Sequence, residues 1–411
     1  MKKRILLISY WVNVEGNSPA IMADDKIESL SSLGYEINIL TSFASREPSN
    51  NNIRQIRIPS ISFNDYLYEY KEIKKFKDFF EFILFFPLVI TFGVFLDLIQ
   101  NFFIKGIGGG KWSWSIISAP FSILYALYNK IDYIFTMGGP ATAHLTGAIC
   151  SIFTKKKLFI ELQDPLAGRD IGRNKSSSKY LLIFEKILLT ICHKLIFVTK
   201  SASNEAKSRY QYSLSEKIFG IYTGSKKIFS QKKISNKKNK ILFIHLGTLY
   251  TTRNFYSLIK AIEFLIQNKK ILKSDIEILN IGEIYGDIKR HHLNKSYILW
   301  ESIQSRKNAL EKCYSADFLL LIQHTDYRSR LTFPYKLYEY LNTGKPIFAL
   351  TNNTELDRIL KINHHYYCDV NNYKDVAAKL MHLIKYNNDQ NKINLSFNKI
   401  NHINQCKKIF E

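Results

Sequence analysis

The chain has 411 residues, 46% hydrophobic and 23% charged, enough for two or three domains of about 150 residues and a sizeable core. With only 18 Gly and 9 Pro it is neither collagenous nor low-complexity, and five widely spaced cysteines without a C-x-x-C pair exclude a disulfide framework or zinc ribbon and fit a reducing cytoplasm. Lys and Arg outnumber Asp and Glu by 58 to 35, a balance of +23 that favours an anionic partner, although a chain crowded with Lys, Ile, Asn, Tyr and Phe reaches such a balance by composition alone.

Met1 to Tyr10 (MKKRILLISY) sets basic residues before an apolar run too short for a secretory signal, and Asn13, Glu15 and Asn17 follow without a small-residue cleavage site. The run reads as a first strand, from Ile5 to Tyr10. A helix from about Ala20 to Leu33, a stop at Gly34, and strands at Glu36 to Leu40 and Ile53 to Ile58 make a βαβ beginning. Phe79 to Ile104 then interrupts the rhythm with a strongly apolar, aromatic stretch. Its uncharged core, Phe82 to Leu96, is 15 residues long. A bilayer span takes roughly 18 to 20, so the segment is not read as transmembrane. Lys71, Lys74, Lys75 and Lys77 before it, and Trp112 and Trp114 after the glycines Gly108 to Gly110, suit a helix lying in a membrane interface; a buried core helix fits the composition equally.

Alternation resumes with a strand at Tyr133 to Thr136, a Gly-Gly-Pro loop, a helix from Thr142, a strand at Leu158 to Leu162, a helix through Leu189 and a strand at Lys194 to Val198. Ser225 to Lys240 (SKKIFSQKKISNKKNK) is polar and lysine-rich and reads as a linker. A second series follows: strands at Ile241 to His245, Ile276 to Ile281, Tyr297 to Trp300, Phe318 to Ile322 and Pro346 to Ala349, with helices at Asn254 to Ile266, Lys307 to Tyr314 and Pro334 to Leu341. The fold class is α/β, two Rossmann-like doubly wound domains facing a cleft, with domains at 1–224 and 241–385, the linker at 225–240 and a helical tail at 386–411.

The common phosphate fingerprints fail. Gly106-Ile-Gly-Gly-Gly-Lys111 lacks the last glycine of G-x-G-x-x-G, and neither Gly344-Lys345 nor Gly110-Lys111 is followed by Ser or Thr. The pairs His291-His292 and His364-His365 are adjacent instead of spaced along one helix face, so no metal site is expected. Leu331 to Pro346 (LTFPYKLYEYLNTGKP) is more informative: Pro334 suits a helix start and Gly344 its stop, and Lys336 and Glu339, three apart, share a face. A helix start with a lysine and a carboxylate beside it suits a phosphate and a ribose; an intrahelical Lys-Glu pair on a wet surface fits the same spacing.

This segment resembles the nucleotide-sugar motif of glycosyltransferase family 4 and its relatives, which have the GT-B fold, and the resemblance runs through most of the chain. His245-Leu-Gly-Thr-Leu-Tyr-Thr-Thr-Arg253-Asn254 looks like the family's diphosphate loop, so the resemblance assigns Gly247, Arg253, Lys336 and Glu339 to donor binding, with Arg253 and Lys336 also stabilising the leaving diphosphate. In the first domain it places Gly16 near the donor, His144 of IDYIFTMGGPATAHLTG near the transferred sugar or acceptor, and Asp164 of ELQDP in a D-x-x-D-P-like segment. A helix-cap role for His144 and a structural one for Asp164 stay open. Four departures stand out: Leu331 where a first glutamate is expected, Thr248 where many members have arginine, Arg253 where many have lysine, and Glu161 for the first aspartate of the last motif.

The resemblance implies a retaining, metal-independent glycosyltransferase without a cofactor. It would move a sugar from a nucleotide diphosphate donor, a UDP-sugar first, to a hydroxyl of a saccharide or lipid-linked acceptor in cell-surface polysaccharide synthesis. The first domain would be the acceptor side and the second the nucleotide-sugar side. A cytoplasmic protein, peripheral on the inner face of an anionic membrane, is expected, with no nucleic-acid partner. A catalytically silent relative that binds a partner or membrane is the alternative, and a nucleotide-sugar epimerase shares the fold.

Overall fold

The computed structural model describes residues 2–50, 53–73, 75–103, 107–167, 175–225, 240–286, 294–385 and 402–411. They form two units, one of Met1–Thr223 with His402–Glu411, the other of Gly224–Asn401. The expected linker, from 226 to 239, and the tail from 386 to 401 lie outside the described residues.

The first unit is built on a seven-stranded sheet: β1 (Arg4–Ile8), β2 (Glu36–Thr41), β3 (Arg54–Arg57), β4 (Tyr133–Gly138), β5 (Lys157–Leu162), β6 (Lys194–Phe197) and β7 (Ile218–Gly220). Their order is β3-β2-β1-β4-β5-β6-β7, and every pairing is parallel. Helices cover both faces of such a sheet, which is why Ile5, Leu6, Leu7 and Ile8 are all buried instead of alternating. Asn17 caps α1 (Ser18–Ser32) by accepting the Ala20 N–H at 3.1 Å.

Between β3 and β4 the apolar stretch resolves into α2 (Phe63–Glu72), α3 (Phe76–Ile83) and α4 (Phe86–Phe103), followed by α5 (Trp114–Tyr128). Asp97, read as a boundary of the apolar core, lies inside α4, which is long and apolar enough by composition to cross a membrane. Trp114 is no interfacial anchor: it is wholly buried, its indole N–H donating to the Ile58 carbonyl at 2.7 Å, and Trp112 packs edge-on against Phe184. After α6 (Thr142–Thr154), α7 (Lys175–Ile191), α8 (Lys200–Lys207) and α9 (Tyr212–Ser215), the chain leaves for the second unit.

That unit repeats the plan with β8 (Ile241–Leu246), β9 (Ile276–Ile281), β10 (Ile298–Glu301), β11 (Phe318–Ile322), β12 (Ile347–Thr351) and β13 (Tyr366–Asp369), parallel in the order β10-β9-β8-β11-β12-β13. Its helices are α10 (Tyr256–Gln267), α11 (Arg306–Cys313), α12 (Lys336–Thr343), α13 (Thr354–Ile362) and α14 (Tyr373–Lys385). Phe243, Phe255, Phe318 and Phe348 sit at the centre of its core. The winding reverses between β8 and β11, so the loops after these strands open the crevice where doubly wound sheets hold ligands. Finally α15 (His402–Phe410) packs on the first unit against α1, with Phe410 among Tyr35, Tyr133 and Phe159.

Candidate functional site

Four of the residues singled out in the sequence meet at the reversal point of the second sheet. Gly247 follows the last residue of β8 with φ of +131°, and the Lys336 ammonium lies where a Cβ on Gly247 would stand. Only glycine permits both the backbone and the approach. Lys336 opens α12; Pro334, read as the helix start, instead precedes it and accepts the Leu337 N–H at 2.9 Å. Gly344 ends α12 in the left-handed region, with φ of +71°.

Arg253 reaches the same place from a tight turn in which it and Tyr250 exchange backbone hydrogen bonds of 2.8 and 2.9 Å. Its guanidinium lies 4.9 Å from the Tyr250 ring centre, and its Nε is buried without a hydrogen-bond partner. Among the described residues neither Arg253 nor Lys336 has an ion-pair partner. Burial and the neighbouring Arg253 pull the Lys336 ammonium down to about 7, against which Glu339 acts, and burial likewise lowers Arg253. Two basic groups held together, with Glu339 the one nearby carboxylate acting on Lys336 and no ion-pair partner among the described residues, form a site that favours an anion.

The surrounding loop is fixed by hydrogen bonds. His324, after β11, bridges Tyr250 Oη at 3.1 Å and Thr252 Oγ1 at 2.9 Å, and burial holds it neutral at about 4. Arg328 pairs with Asp326 at 2.6 Å and donates to Thr252 Oγ1 at 3.1 Å. Tyr340 Oη accepts the Leu246 N–H at 2.8 Å, tying the end of β8 to α12. Buried His245 shares a 2.6 Å hydrogen bond with Asn280, and burial, then Lys336, keep it neutral.

Glu339, one turn into α12, accepts from Arg306 Nε at 2.7 Å and is only 8% exposed in its side chain. Arg306 is a site residue the sequence reading missed. It lies 33 residues before Glu339 at the start of another helix, and no spacing connects the two. Leu331, where a glutamate was expected, is a buried apolar residue, and Thr248 is half-buried in the glycine loop.

The remaining sequence-predicted residues belong to the first unit. Gly16 occupies the loop between β1 and α1 with φ of +74°. His144, in α6, is buried: its Nδ1 shares a 2.9 Å hydrogen bond with Thr136 Oγ1, and burial holds the ring neutral at about 3. Asp164 is exposed beyond the end of β5. Glu161, by contrast, is fully buried in a 2.9 Å ion pair with Lys26 of α1. Removing one partner of such a pair costs about 3–5 kcal/mol, so this pair fastens α1 to the sheet.

No family model matches the chain, and no curated protein matches its sequence. Solved structures match its fold. Anabaena HepE, with UDP and glucose bound, aligns over 100% of this chain and 98% of its own at 12% identity and a TM-score of 0.64. The lipopolysaccharide outer core galactosyltransferase WaaB aligns over 99% of each chain at 11% identity and a TM-score of 0.56. A Listeria monocytogenes protein assigned as a UDP-N-acetylglucosamine 2-epimerase aligns over 100% and 95% at 11% identity and a TM-score of 0.56. The fold is therefore GT-B, the class implied by the sequence resemblance; identities of 11–12% define the fold and no single family within it.

Proposed function

We propose that this protein is a glycosyltransferase that moves a sugar from a UDP-sugar to a hydroxyl of a saccharide or lipid-linked acceptor in cell-surface polysaccharide synthesis. The observation that carries the reading is the convergence of Arg253 and Lys336 beside Gly247, two basic groups without ion-pair partners among the described residues, at the reversal point of a doubly wound sheet. When the bond from the sugar to the diphosphate breaks, negative charge collects on the leaving phosphate. Arg253, Lys336 and the amides opening α12 are preorganised positive charge at that point, so the departure is stabilised without metal. A retained anomeric configuration goes with this proposal.

Glu339 is the residue proposed to accept the ribose hydroxyls, oriented by Arg306. In the first unit, Gly16 at the reversal between β1 and β4 is proposed to approach the donor. His144 and Asp164 are proposed to lie on the sugar and acceptor side, with the Thr136 hydrogen bond fixing the His144 ring. That WaaB is a galactosyltransferase supports sugar transfer, and that HepE holds UDP and glucose supports a uridine donor; the epimerase of the same fold is the second reaction on a UDP-sugar.

Calorimetry of UDP, with GDP and ADP as comparators, tests the reading on the wild type and on Arg253→Ala. Selective UDP binding that weakens at least about a hundredfold in the variant supports it, since a charge-assisted phosphate contact contributes about 3 kcal/mol. Absence of binding to all three nucleotides would favour the catalytically silent alternative. Conversion of a UDP-sugar to its epimer without acceptor would favour the epimerase.

A further inference from the structure

We propose that α4 seats the first unit on an anionic lipid bilayer, lying in the plane of the interface without crossing it. The helix has its polarity reversed. An ordinary surface helix turns its apolar stripe inward and its charges to water. In α4 the one charged residue, Asp97, points inward, where it accepts the Asn64 N–H at 2.9 Å in the first turn of α2. Val89 and Gly93 complete the buried stripe at i, i+4 and i+8. Gly93 lets the two helices close, because a Cβ there would stand 3.0 Å from the Phe63 nitrogen.

Gln100 also turns in, donating to Asp65 at 3.3 Å and accepting from the Ser113 N–H at 3.3 Å, while the outward face is apolar apart from Thr91 and Asn101. Ile90, Phe92, Phe95, Leu98, Phe102 and Phe103 are each more than half exposed, reaching 83% at Phe102. At 100° per residue the exposed apolar side chains sweep an arc of roughly 220°, and the helix is about 27 Å long. A patch of this extent is not left in water by a soluble domain. Fluid acyl chains cover such an arc on a convex rod completely, whereas a rigid protein partner covers one side of it. Charge complementarity points to the same occupant: Lys71, Lys75 and Lys77 are exposed on the chain that leads into α4, and the exposed pairs of Lys75 with Glu47 at 2.6 Å and Lys77 with Glu81 at 3.8 Å are of the weak, solvent-screened kind that lipid phosphates can replace.

Crossing is excluded by topology. β1 precedes α4 and β4 follows it, yet the two pair in register from Ile5 with Tyr133 to Ile8 with Thr136. A single span would put them on opposite sides of the bilayer. The helix therefore lies along the surface.

The proposal is independent of the nucleotide site, because it is tested without nucleotide. Full-length protein is floated with phosphatidylglycerol/phosphatidylethanolamine vesicles and with phosphatidylcholine vesicles, at low and high salt, beside Phe95→Asp/Leu98→Asp. Both altered side chains are exposed, so the variant is expected to keep the wild-type melting temperature and UDP affinity. Wild type should float with the anionic vesicles, less so at high salt, and the variant should lose about tenfold or more of that binding. Lys71→Glu/Lys77→Glu should weaken flotation at low salt alone. Failure of the wild type to float, or equal flotation of the Asp variant, would overturn the proposal. So would a vesicle-free dimer, seen by sedimentation velocity, that the Asp variant dissociates, because the face would then belong to a second copy.

Discussion

At pH 8 the binding of UDP should draw about 0.9 proton from the buffer. The unliganded Lys336 ammonium titrates at about 7 because it is buried beside Arg253, so only about a tenth of the molecules hold the proton at pH 8. A diphosphate seated against the amine supplies the counter-charge and returns the group to its ordinary value near 10.5, where it is fully protonated. The difference is the uptake, and at pH 8 the nucleotide itself is already ionised, with a phosphate pKa of about 6. His245 and His324 are held neutral too far below pH 8 to contribute. Calorimetry in HEPES and Tris, whose ionisation enthalpies differ and neither of which is an analogue of the diphosphate, gives the proton count as the slope of observed enthalpy against buffer enthalpy. Lys336→Arg, charged throughout, should reduce the count to near zero while keeping binding. A wild-type count near zero, or one unchanged in the variant, would refute the idea that Lys336 meets the diphosphate.

Gly247→Ala should abolish UDP binding and lower stability by about 1–3 kcal/mol, because the new methyl overlaps the Lys336 ammonium at a φ of +131°; denaturant melts and calorimetry check both. Arg306→Ala should cost about 2–3 kcal/mol in urea unfolding, less than a wholly buried pair because Arg306 is 21% exposed, and Glu339→Gln, which keeps an acceptor for Arg306, should cost less. Glu69 adds a pH dependence. Burial raises its carboxyl to about 7 while it accepts from Tyr10 Oη at 2.6 Å and from the Ser60 N–H. With the folded value above the unfolded 4.5, its contribution is full below pH 4.5 and is lost as pH rises through 7, about 3 kcal/mol in all. Glu69→Gln should flatten the fall in stability between pH 5 and pH 8 by about that amount, and parallel pH profiles would contradict the assignment.

Alternating apolar strands and amphipathic helices made both sheets legible, because parallel strands buried on two faces read as continuous runs such as ILLI and FLLLI. Of the short edge strands, β3 and β10 were legible and β7 and β13 were not. β7 is three residues, and the YYCD of β13 exposes its last residue, so neither shows a run. Glu339 and Lys336 could be found because they share one helix, and Gly247 and Arg253 because one loop contains both. Arg306 could not, since only the tertiary fold brings its partner Glu339, 33 residues on in another helix, to it. Glu161 shows the opposite limit: it stands as a departure at a motif position in the sequence, while the fold buries it against Lys26. The apolar stretch was visible as composition, but the inward turn of Asp97, which makes its outer face unusual, exists only in three dimensions.

The most direct measurement is a crystal structure of the protein grown with UDP. The diphosphate should lie within hydrogen-bond distance of the Arg253 guanidinium and Lys336 Nζ, over Gly247, with the ribose hydroxyls on Glu339. A nucleotide bound elsewhere, with Arg253 and Lys336 left untouched, would contradict this assignment.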